Sequence, residues 1–263
     1  MKEDIGMSSV MNHSWVVVLI GTLAGSWSAV RAEDSLEAIA KRLEEVGSKL
    51  KSMSATQIVE VQSESADFKM VSHTSGKYEY MRKGDTTMWR LESETTSVST
   101  VAGKDVKMEQ KMTMVCDGKF NYTVSEMMGQ KTAMKSAIQK NITSVAGKGF
   151  FETLRKDNTL KLLPEDKADG KAAYVIEAVP KSKGPEMSIS RTHYFMLKES
   201  GIVAKTVMFD AQGKPMTTVL MTNLKINPEI PGERFVFKAP EGVQLMDTDA
   251  MKNRHKQAPE KKP

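Results

Sequence analysis

The strongest constraint on the fold is an alternation of side chains with a period of two, which begins near Ala55 and continues along most of the chain. Such alternation is typical of β-strands, because successive side chains point to opposite faces of a sheet. Turn residues such as Asp117-Gly118 and Ser200-Gly201 separate the alternating segments. The chain is therefore predicted to be mainly β, with strands joined by short hairpins.

The predicted strands form two groups, with a helical interruption between them. The first group covers residues 55–63, 68–73, 77–82, 87–94, 108–115, 119–124 and 128–133, with turns at 74–76 and 83–85. Residues 133–140 and 147–156 are predicted to be helical. The second group covers residues 160–163, 172–179, 187–197, 203–209 and 215–224, with a solvated loop at 164–169. A series of about ten strands favours strong curvature or barrel closure, with the helices filling an incomplete barrel.

An amphipathic helix is predicted ahead of the strands, over residues 35–53. Leu36, Ile39, Leu43 and Leu50 recur at steps of three and four, which places them on one helical face. Ser35 is a suitable N-cap residue. We expect the apolar face of this helix to pack on the body of the domain.

The two ends of the chain differ in composition from the body. Residues 15–25 form an uncharged apolar run too short to span a bilayer, and Val30 and Ala32 have the spacing of a signal-peptidase site. These features predict a cleaved signal peptide and a soluble periplasmic protein. The predicted divisions are a signal peptide (1–32), one folded domain (33–246) and a basic disordered tail (247–263).

The residues needed for catalysis or metal binding do not form a recognisable pattern. His73 and His193 are the histidines of the predicted domain, and Cys116 is the single cysteine. Two histidines and one cysteine are too few for a metal site of the usual histidine and cysteine type. The sequence also has no Gly-x-Ser-x-Gly motif, which would indicate a nucleophilic serine. The net charge is +5, and basic residues do not alternate with aromatic residues along the chain. This composition argues against binding of single-stranded nucleic acid. We therefore predict a binding protein without enzymatic activity, metal or cofactor.

Methionine is unusually frequent, with 20 residues in the chain, many of them inside predicted strands. Its flexible, polarizable side chain suits a pocket for ligands of variable shape, such as acyl chains. Plain core filling and copper binding through thioethers are the alternative interpretations of the same residues.

Several motifs, taken in order, resemble the periplasmic outer-membrane lipoprotein carrier (lipoprotein-sorting) family. The closing run has a Phe-x-Phe strand, Phe235 and Phe237, followed by a Pro-x-Gly-Val turn at residues 240–243 and a last short strand. The run from Gly76 to Arg82, followed by Trp89, and the Asp-Gly turn at 117–118 are also similar to family motifs. Arg82 is followed by Lys83, where the family usually has proline.

The resemblance implies an unclosed, strongly curved antiparallel half-barrel that covers short helices and holds acyl chains of lipoproteins, or a related amphiphile, in an apolar cavity. The implied partners are an inner-membrane release complex and an outer-membrane acceptor, and the chain is expected to be monomeric. An envelope lipid sensor that acts through a protein partner is the alternative function. The cavity-lining residues predicted from strand alternation and the motifs are Tyr78, Tyr80, Arg82, Trp89, Met114, Phe120, Tyr122, Val175, Phe195, Val207, Phe209, Phe235 and Phe237.

The cleavage prediction has a direct test. When the chain is expressed in a bacterium with export machinery, N-terminal sequencing of the purified protein is expected to begin at Glu33. Replacing Ala32 by a bulky residue such as Phe is expected to block cleavage, whereas the same change at Ala40 leaves it intact. Recovery of residues 1–32 on the native protein would contradict the prediction.

Overall fold

The computed structural model describes residues 35–65, 68–101, 103–138, 149–182 and 189–250. The predicted signal peptide and residues 251–263 of the predicted tail lie outside these ranges. The helices are α1 (Leu36–Ser48), α2 (Phe150–Asp157) and a 3-10 helix (Gly232–Phe235). The strands are β1 (Ser52–Ser65), β2 (Phe68–Lys83), β3 (Thr86–Val101), β4 (Lys104–Cys116), β5 (Phe120–Met127), β6 (Gln130–Ala137), β7 (Asn158–Ala168), β8 (Lys171–Pro180), β9 (Arg191–Leu197), β10 (Val203–Phe209), β11 (Pro215–Ile226) and β12 (Leu245–Asp247).

All of these strands belong to one sheet, in the order β12-β6-β5-β4-β3-β2-β1-β11-β10-β9-β8-β7. Neighbouring strands are antiparallel except β12 and β6, which are parallel. Within the described residues no pairing joins β7 to β12, so the sheet is open. The predicted fold class, a mainly β, unclosed and curved sheet with few short helices, is confirmed. None of the helices in the described ranges is long and apolar enough to cross a membrane.

The strand register assigns every side chain to one of two faces, because directly opposite residues on neighbouring strands point the same way. We call the face that contains Tyr78, Leu91 and Met114 the inner face and its reverse the outer face. Along β2, inner-face residues such as Thr74 are half-buried, whereas the adjacent outer-face His73 is exposed. This difference is expected when a sheet curves towards its inner face.

Both α-helices pack on the inner face of the second half of the sheet. The Ser35 hydroxyl accepts a hydrogen bond from the Ala38 backbone N–H (3.2 Å), which caps α1 as predicted. The buried stripe of Ile39, Ala40 and Leu43 contacts strand residues, as do the α2 residues. The remaining buried members of this cluster are Phe150, Phe151, Tyr174, Ile176 and Met196. Helix α1 ends at Ser48, earlier than predicted, because Lys51 and Ser52 already accept strand-like hydrogen bonds from Arg82 and Asn227.

The predicted turn at residues 74–76 is wrong, because β2 runs straight through it. Gly76 is present for close packing and not for a turn: a Cβ there would lie 2.6 Å from the Glu92 carbonyl oxygen on β3. Strand β2 pairs with β3 along its whole length, including the residues on both sides of the predicted turn. The polar residues beyond Ser93 therefore extend strands β3 and β4.

Two further assignments in the middle of the chain are wrong. Residues 133–137 form part of β6 and not a helix, because β5 and β12 pair with them from both sides. Ile138 belongs to neither a helix nor a strand, and residues 139 and 140 of that predicted helix lie outside the described residues. The predicted loop at 164–169 instead continues β7, whose charged Glu165, Asp166 and Lys167 occupy an edge strand. Charges on an edge are compatible with a strand because one side of it meets solvent.

The predicted Phe235–Phe237 strand is also wrong, since Phe235 ends the 3-10 helix and Phe237 lies outside any strand. Arg234 is the reason, because its backbone and side chain bind the outer face of β2 and β3 and take no part in a strand ladder. The predicted turn is present: the Val243 N–H donates to the Pro240 carbonyl oxygen (3.2 Å). The last short strand is β12, and Asp249 continues the contact by accepting from the Ala137 N–H (2.6 Å), so the body extends past the predicted boundary at 246.

The helix packing predicts the effect of truncating one α2 side chain. Phe151, which is 2% exposed, fills the space between α2 and the sheet, so Phe151→Ala is expected to lower the free energy of unfolding by about 3–5 kcal/mol. Phe68→Ala is the control, because Phe68 is 37% exposed and its loss is expected to cost about 0.5 kcal/mol or less. Urea unfolding followed by circular dichroism measures both. Equal losses would contradict the packing of α2.

Candidate functional site

An apolar cavity of about 520 Å³ opens on the inner face of β2 to β5. Residues that lie opposite one another in the register form its wall: Tyr80, Trp89, Cys116 and Asn121 share one row across four strands. Tyr78, Leu91 and Met114 form the next row. Within the part of the chain that the structure describes, the lining residues are Gln57, Tyr78, Tyr80, Asp85, Thr86, Thr87, Trp89, Leu91, Met114, Cys116, Gly118, Asn121, Ile138 and Met221.

Small residues in the next row leave space beside the aromatic wall. Gly76 pairs with Ser93 directly beyond the Tyr78–Leu91 pair, and neither residue has a side chain that fills the groove. Tyr78 and Tyr80 are themselves buried, and together with Met53, Leu50 and other apolar residues they form a cluster that joins the cavity wall to the end of α1. The tyrosines of the cavity wall are therefore held in place by a packed apolar core.

Among the described residues that line the cavity, Asp85, an exposed residue in the β2–β3 turn, is the one that carries a charge. Burial, with smaller effects from Tyr80 and Cys116, raises the pKa of the Tyr78 phenol far above its ordinary value. Burial likewise raises the pKa of the Cys116 thiol, so both groups keep their protons near neutral pH. Within the described ranges, no cluster of three or more His, Cys, Asp or Glu residues is placed to hold a metal ion.

The inner face stays uncharged well beyond the cavity. Arg82 and Lys104 lie at opposite ends of the inner face of β1 to β6. The other described residues on this face carry no charge. The methionines that point to the inner face are Met53, Met70, Met108, Met112, Met114, Met127, Met134, Met196, Met208, Met221 and Met246. The high methionine content of the sequence is thus concentrated on one surface.

The outer face of the same strands carries the charges. Pairs such as Lys111–Glu94 (3.2 Å) and Lys131–Glu126 (3.5 Å) lie there, as does His73 beside Glu60 (3.9 Å). The contrast between the faces is therefore a property of the whole first half of the sheet.

A cluster of five charged residues lies directly behind the cavity wall, on the outer face, and includes Lys77, whose Nζ atom is 2.6 Å from the Glu79 Oε1 atom. Glu79, between Tyr78 and Tyr80 in β2, accepts hydrogen bonds from the Arg234 guanidinium (Nε to Oε2, 2.8 Å). Arg234 also reaches Glu92 (3.3 Å), which Arg90 holds at 2.6 Å. Burial raises the pKa of the Glu79 and Glu92 carboxyls, but hydrogen bonds and charge from the neighbouring cations outweigh it and leave both below the ordinary value. This cluster fixes the C-terminal segment across the back of the cavity strands.

Four of the predicted site residues, Tyr78, Tyr80, Trp89 and Met114, come together in the cavity. Arg82 does not line it, because its guanidinium donates a hydrogen bond to the Ser48 carbonyl oxygen at the end of α1. Arg82 therefore connects the first helix to β2.

The aromatic residues predicted on β5 and near the C-terminus lie on the outer face. Phe120 and Tyr122 flank the inner-face Asn121, and the Lys135 ammonium lies 3.9 Å from the Phe120 ring centroid. Tyr122 stacks on Phe237, with ring centroids 4.3 Å apart. Phe235 is buried beside Arg234, so the two C-terminal phenylalanines hold their segment on the back of the sheet.

The remaining predicted residues, Val175, Phe195, Val207 and Phe209, form a separate apolar cluster on β8 to β10. Val175 lies between Tyr174 and Ile176, which contact the helices, so its side chain points to the other face of β8. The four residues are therefore separate from the cavity.

Sequence reasoning missed Leu91, Asn121 and Met221 among the lining residues. A signal for Leu91 was present, because the correctly predicted turn at 83–85 sets Tyr80 opposite Trp89 and Tyr78 opposite Leu91. Met221 required the pairing of β1 with β11, which lies too far along the chain for a local pattern to indicate.

No protein-family model matches the chain. An uncharacterized protein from Methanocaldococcus jannaschii is 25% identical over 251 residues, and the match covers 92% of this chain. The match spans 63% of that relative's length, less than two thirds.

Solved structures similar to this chain include MucB in the Pseudomonas aeruginosa MucA/MucB complex, an uncharacterized conserved protein from Thermus thermophilus and a LolA superfamily protein from Nitrosomonas europaea. Their identities are 14%, 12% and 10%, with TM-scores of 0.46, 0.46 and 0.29. The matches cover 76%, 81% and 78% of this chain and 60%, 99% and 98% of the respective structures. All three TM-scores lie below 0.5.

The charge cluster behind the cavity predicts a dependence of stability on pH. A carboxyl with a lowered pKa in the folded state stabilises the fold above its unfolded pKa, and that contribution disappears as the pH falls through the folded pKa. We expect Glu79 and Glu92 to contribute fully above about pH 4.5 and to lose this contribution in more acidic solution.

Arg234→Gln is expected to lower the free energy of unfolding by about 1–3 kcal/mol at pH 7, by removing hydrogen bonds to a charged partner. It should also move the acid loss to higher pH, because burial of Glu79 is then opposed by one cation fewer. Lys107→Gln is the control, since the Lys107–Glu109 pair is exposed. Urea unfolding between pH 3 and 7 measures the effect, and identical pH profiles for the two variants would contradict the role of Arg234.

Proposed function

We propose that this protein binds the acyl chain of an amphiphile on the inner face of the sheet, with the cavity at Tyr78, Trp89 and Met114 as the deepest part of the site. The observation that carries the proposal is the division of charge: the inner face of β1 to β6 is uncharged between its two ends, whereas the outer face carries the ion pairs. If both faces of the sheet were exposed only to water, we would expect them to carry similar numbers of charged residues.

The physical driving force is the removal of apolar surface from water. Each buried methylene contributes about 0.8 kcal/mol, so partial enclosure of an acyl chain already gives useful affinity. Methionine side chains adapt to a flexible chain because they have three rotatable bonds and a polarizable sulfur. The volume of about 520 Å³ lies within the range of small-molecule sites in proteins. Binding of this kind needs no covalent step.

We further propose that the mature protein acts in the periplasm as a carrier for acyl chains of lipoproteins or related amphiphiles. The apolar run at residues 15–25 and the motifs shared with lipoprotein carriers support this assignment. The division of charge between the faces is equally compatible with a sensor that binds lipid and acts through a protein partner. Transfer of bound lipid to acceptor vesicles distinguishes a carrier from such a sensor.

A charge placed on the inner face is expected to weaken binding. Met114→Lys brings an ammonium group to the cavity wall, and the cost of removing it from water is expected to lower the affinity for the uncharged fluorescent probe diphenylhexatriene at least tenfold. Thr113→Lys is the matched control, because Thr113 is the adjacent residue on the outer face, opposite Glu92. Fluorescence titration of the mature protein measures both affinities, and equal binding by the two variants would contradict the proposed site.

A further inference from the structure

The β3–β4 hairpin projects beyond the next strand of the sheet. Strand β5 pairs with residues 110–116 of β4, so residues 104–109 have no strand partner on that side within the described ranges. Six residues of extended chain correspond to about 20 Å. The β1–β2 hairpin ends at the same level, because Phe68 pairs with Ser65 on one side and with Val101 on the other. We call residues 65, 68–71, 98–101 and 104–109 the tip.

The tip exposes apolar side chains on both of its faces. The register places Phe68, Val101, Val106 and Met108 on the inner face and Val71 opposite Val98 on the outer face. These six side chains are between 37% and 52% exposed. Farther along the same strands the outer face carries ion pairs such as Lys111–Glu94. Exposed apolar residues that are grouped in this way mark a contact surface for another molecule or a membrane.

The presence of apolar residues on both faces favours a lipid bilayer as the partner. A groove on a protein covers one face of a hairpin, whereas a bilayer surrounds both faces of whatever enters it. The free edge of β4 limits the depth of insertion, because its backbone N–H and C=O groups need partners that hydrocarbon does not supply. The interfacial region, where lipid headgroups and water are present, supplies them.

The charges of the tip suit an anionic surface. The tip holds three lysines and two acidic residues, and Lys107 pairs with Glu109 (2.8 Å). Lys69 points to the outer face and Lys104 to the inner face, and neither forms an ion pair among the described residues. A lysine can lay its methylene stem along apolar surface while its ammonium group reaches a phosphate. Each lysine near an anionic leaflet adds to the attraction.

We propose that the tip docks this protein on the interfacial region of an anionic phospholipid bilayer, with Phe68, Val101 and Val106 among the headgroups. Docking does not depend on the acyl-chain site, but it places the bilayer at one end of it. The inner-face residues of β4 between Val106 and Met114 are uncharged, over about 26 Å. A chain that leaves the bilayer therefore reaches the cavity without passing a charged side chain of β4.

The test is sedimentation of the exported protein with phosphatidylcholine vesicles, with and without phosphatidylglycerol. We expect about fivefold tighter binding when phosphatidylglycerol is present, as one net charge near the surface implies. Val101→Ser/Val106→Ser is expected to lower the affinity for both vesicles at least tenfold, because it removes apolar surface that enters the bilayer. Val179→Ser/Val236→Ser is the matched control, since these valines are 40% and 56% exposed and lie outside the tip, and it is expected to bind as the unmodified protein does.

Tryptophan fluorescence gives a second measurement that does not depend on truncation. Phe68→Trp is expected to shift the emission to shorter wavelength when vesicles are added, whereas Val236→Trp is expected to leave it unchanged. Equal vesicle binding by the two serine variants, or no binding by the unmodified protein, would overturn the proposal. A dimer in vesicle-free solution that only the tip variant disperses would assign the tip to a second copy of the chain and also overturn it. Failure of diphenylhexatriene to bind would overturn the acyl-chain site and leave the vesicle result standing.

Discussion

The structure depends on one uninterrupted antiparallel register that runs from β1 through β6. Because each strand is paired along most of its length, alternation in one strand is carried to the next, and the rows of opposite residues stay on one face. A slip of one residue in any of these pairs would move lysine and glutamate to the inner face. The chemistry of the cavity is thus a consequence of backbone hydrogen bonds.

The two faces are stabilised by different means. The inner face of the second half is covered by α1 and α2 through a buried aromatic and aliphatic cluster. In the first half, the C-terminal segment crosses the outer face, where Arg234 binds Glu79 and Phe237 stacks on Tyr122. The residues that hold this segment alternate along β2 and β5 with residues of the cavity wall. The inner face of the first half therefore keeps a cavity while its reverse is supported.

Much of this arrangement could be predicted from local sequence patterns. The capped first helix, the helix near residue 150, the hairpin at 83–85 and most strands follow from periodicity and turn residues. The errors occurred where distant pairing outweighs local preference: Gly76 indicates a turn by itself but is required by the close approach of β3. Phe235 and Phe237 alternate as in a strand, yet a distant carboxylate and a distant tyrosine hold them outside the sheet.

The fold class and the alternation that keeps charge on one side of each strand follow from the order of residues along the chain, because both depend on the spacing of residues a few positions apart. Which aromatic residues meet is set by the three-dimensional fold. Tyr78, Trp89 and Met114 share a cavity, whereas Phe195 and Tyr122 lie elsewhere, since strand order and face depend on pairings between distant segments. The buried, unpaired Oδ1 atom of Asn121 likewise becomes visible only in three dimensions, because hydrogen bonding depends on distances between atoms and not on residue type.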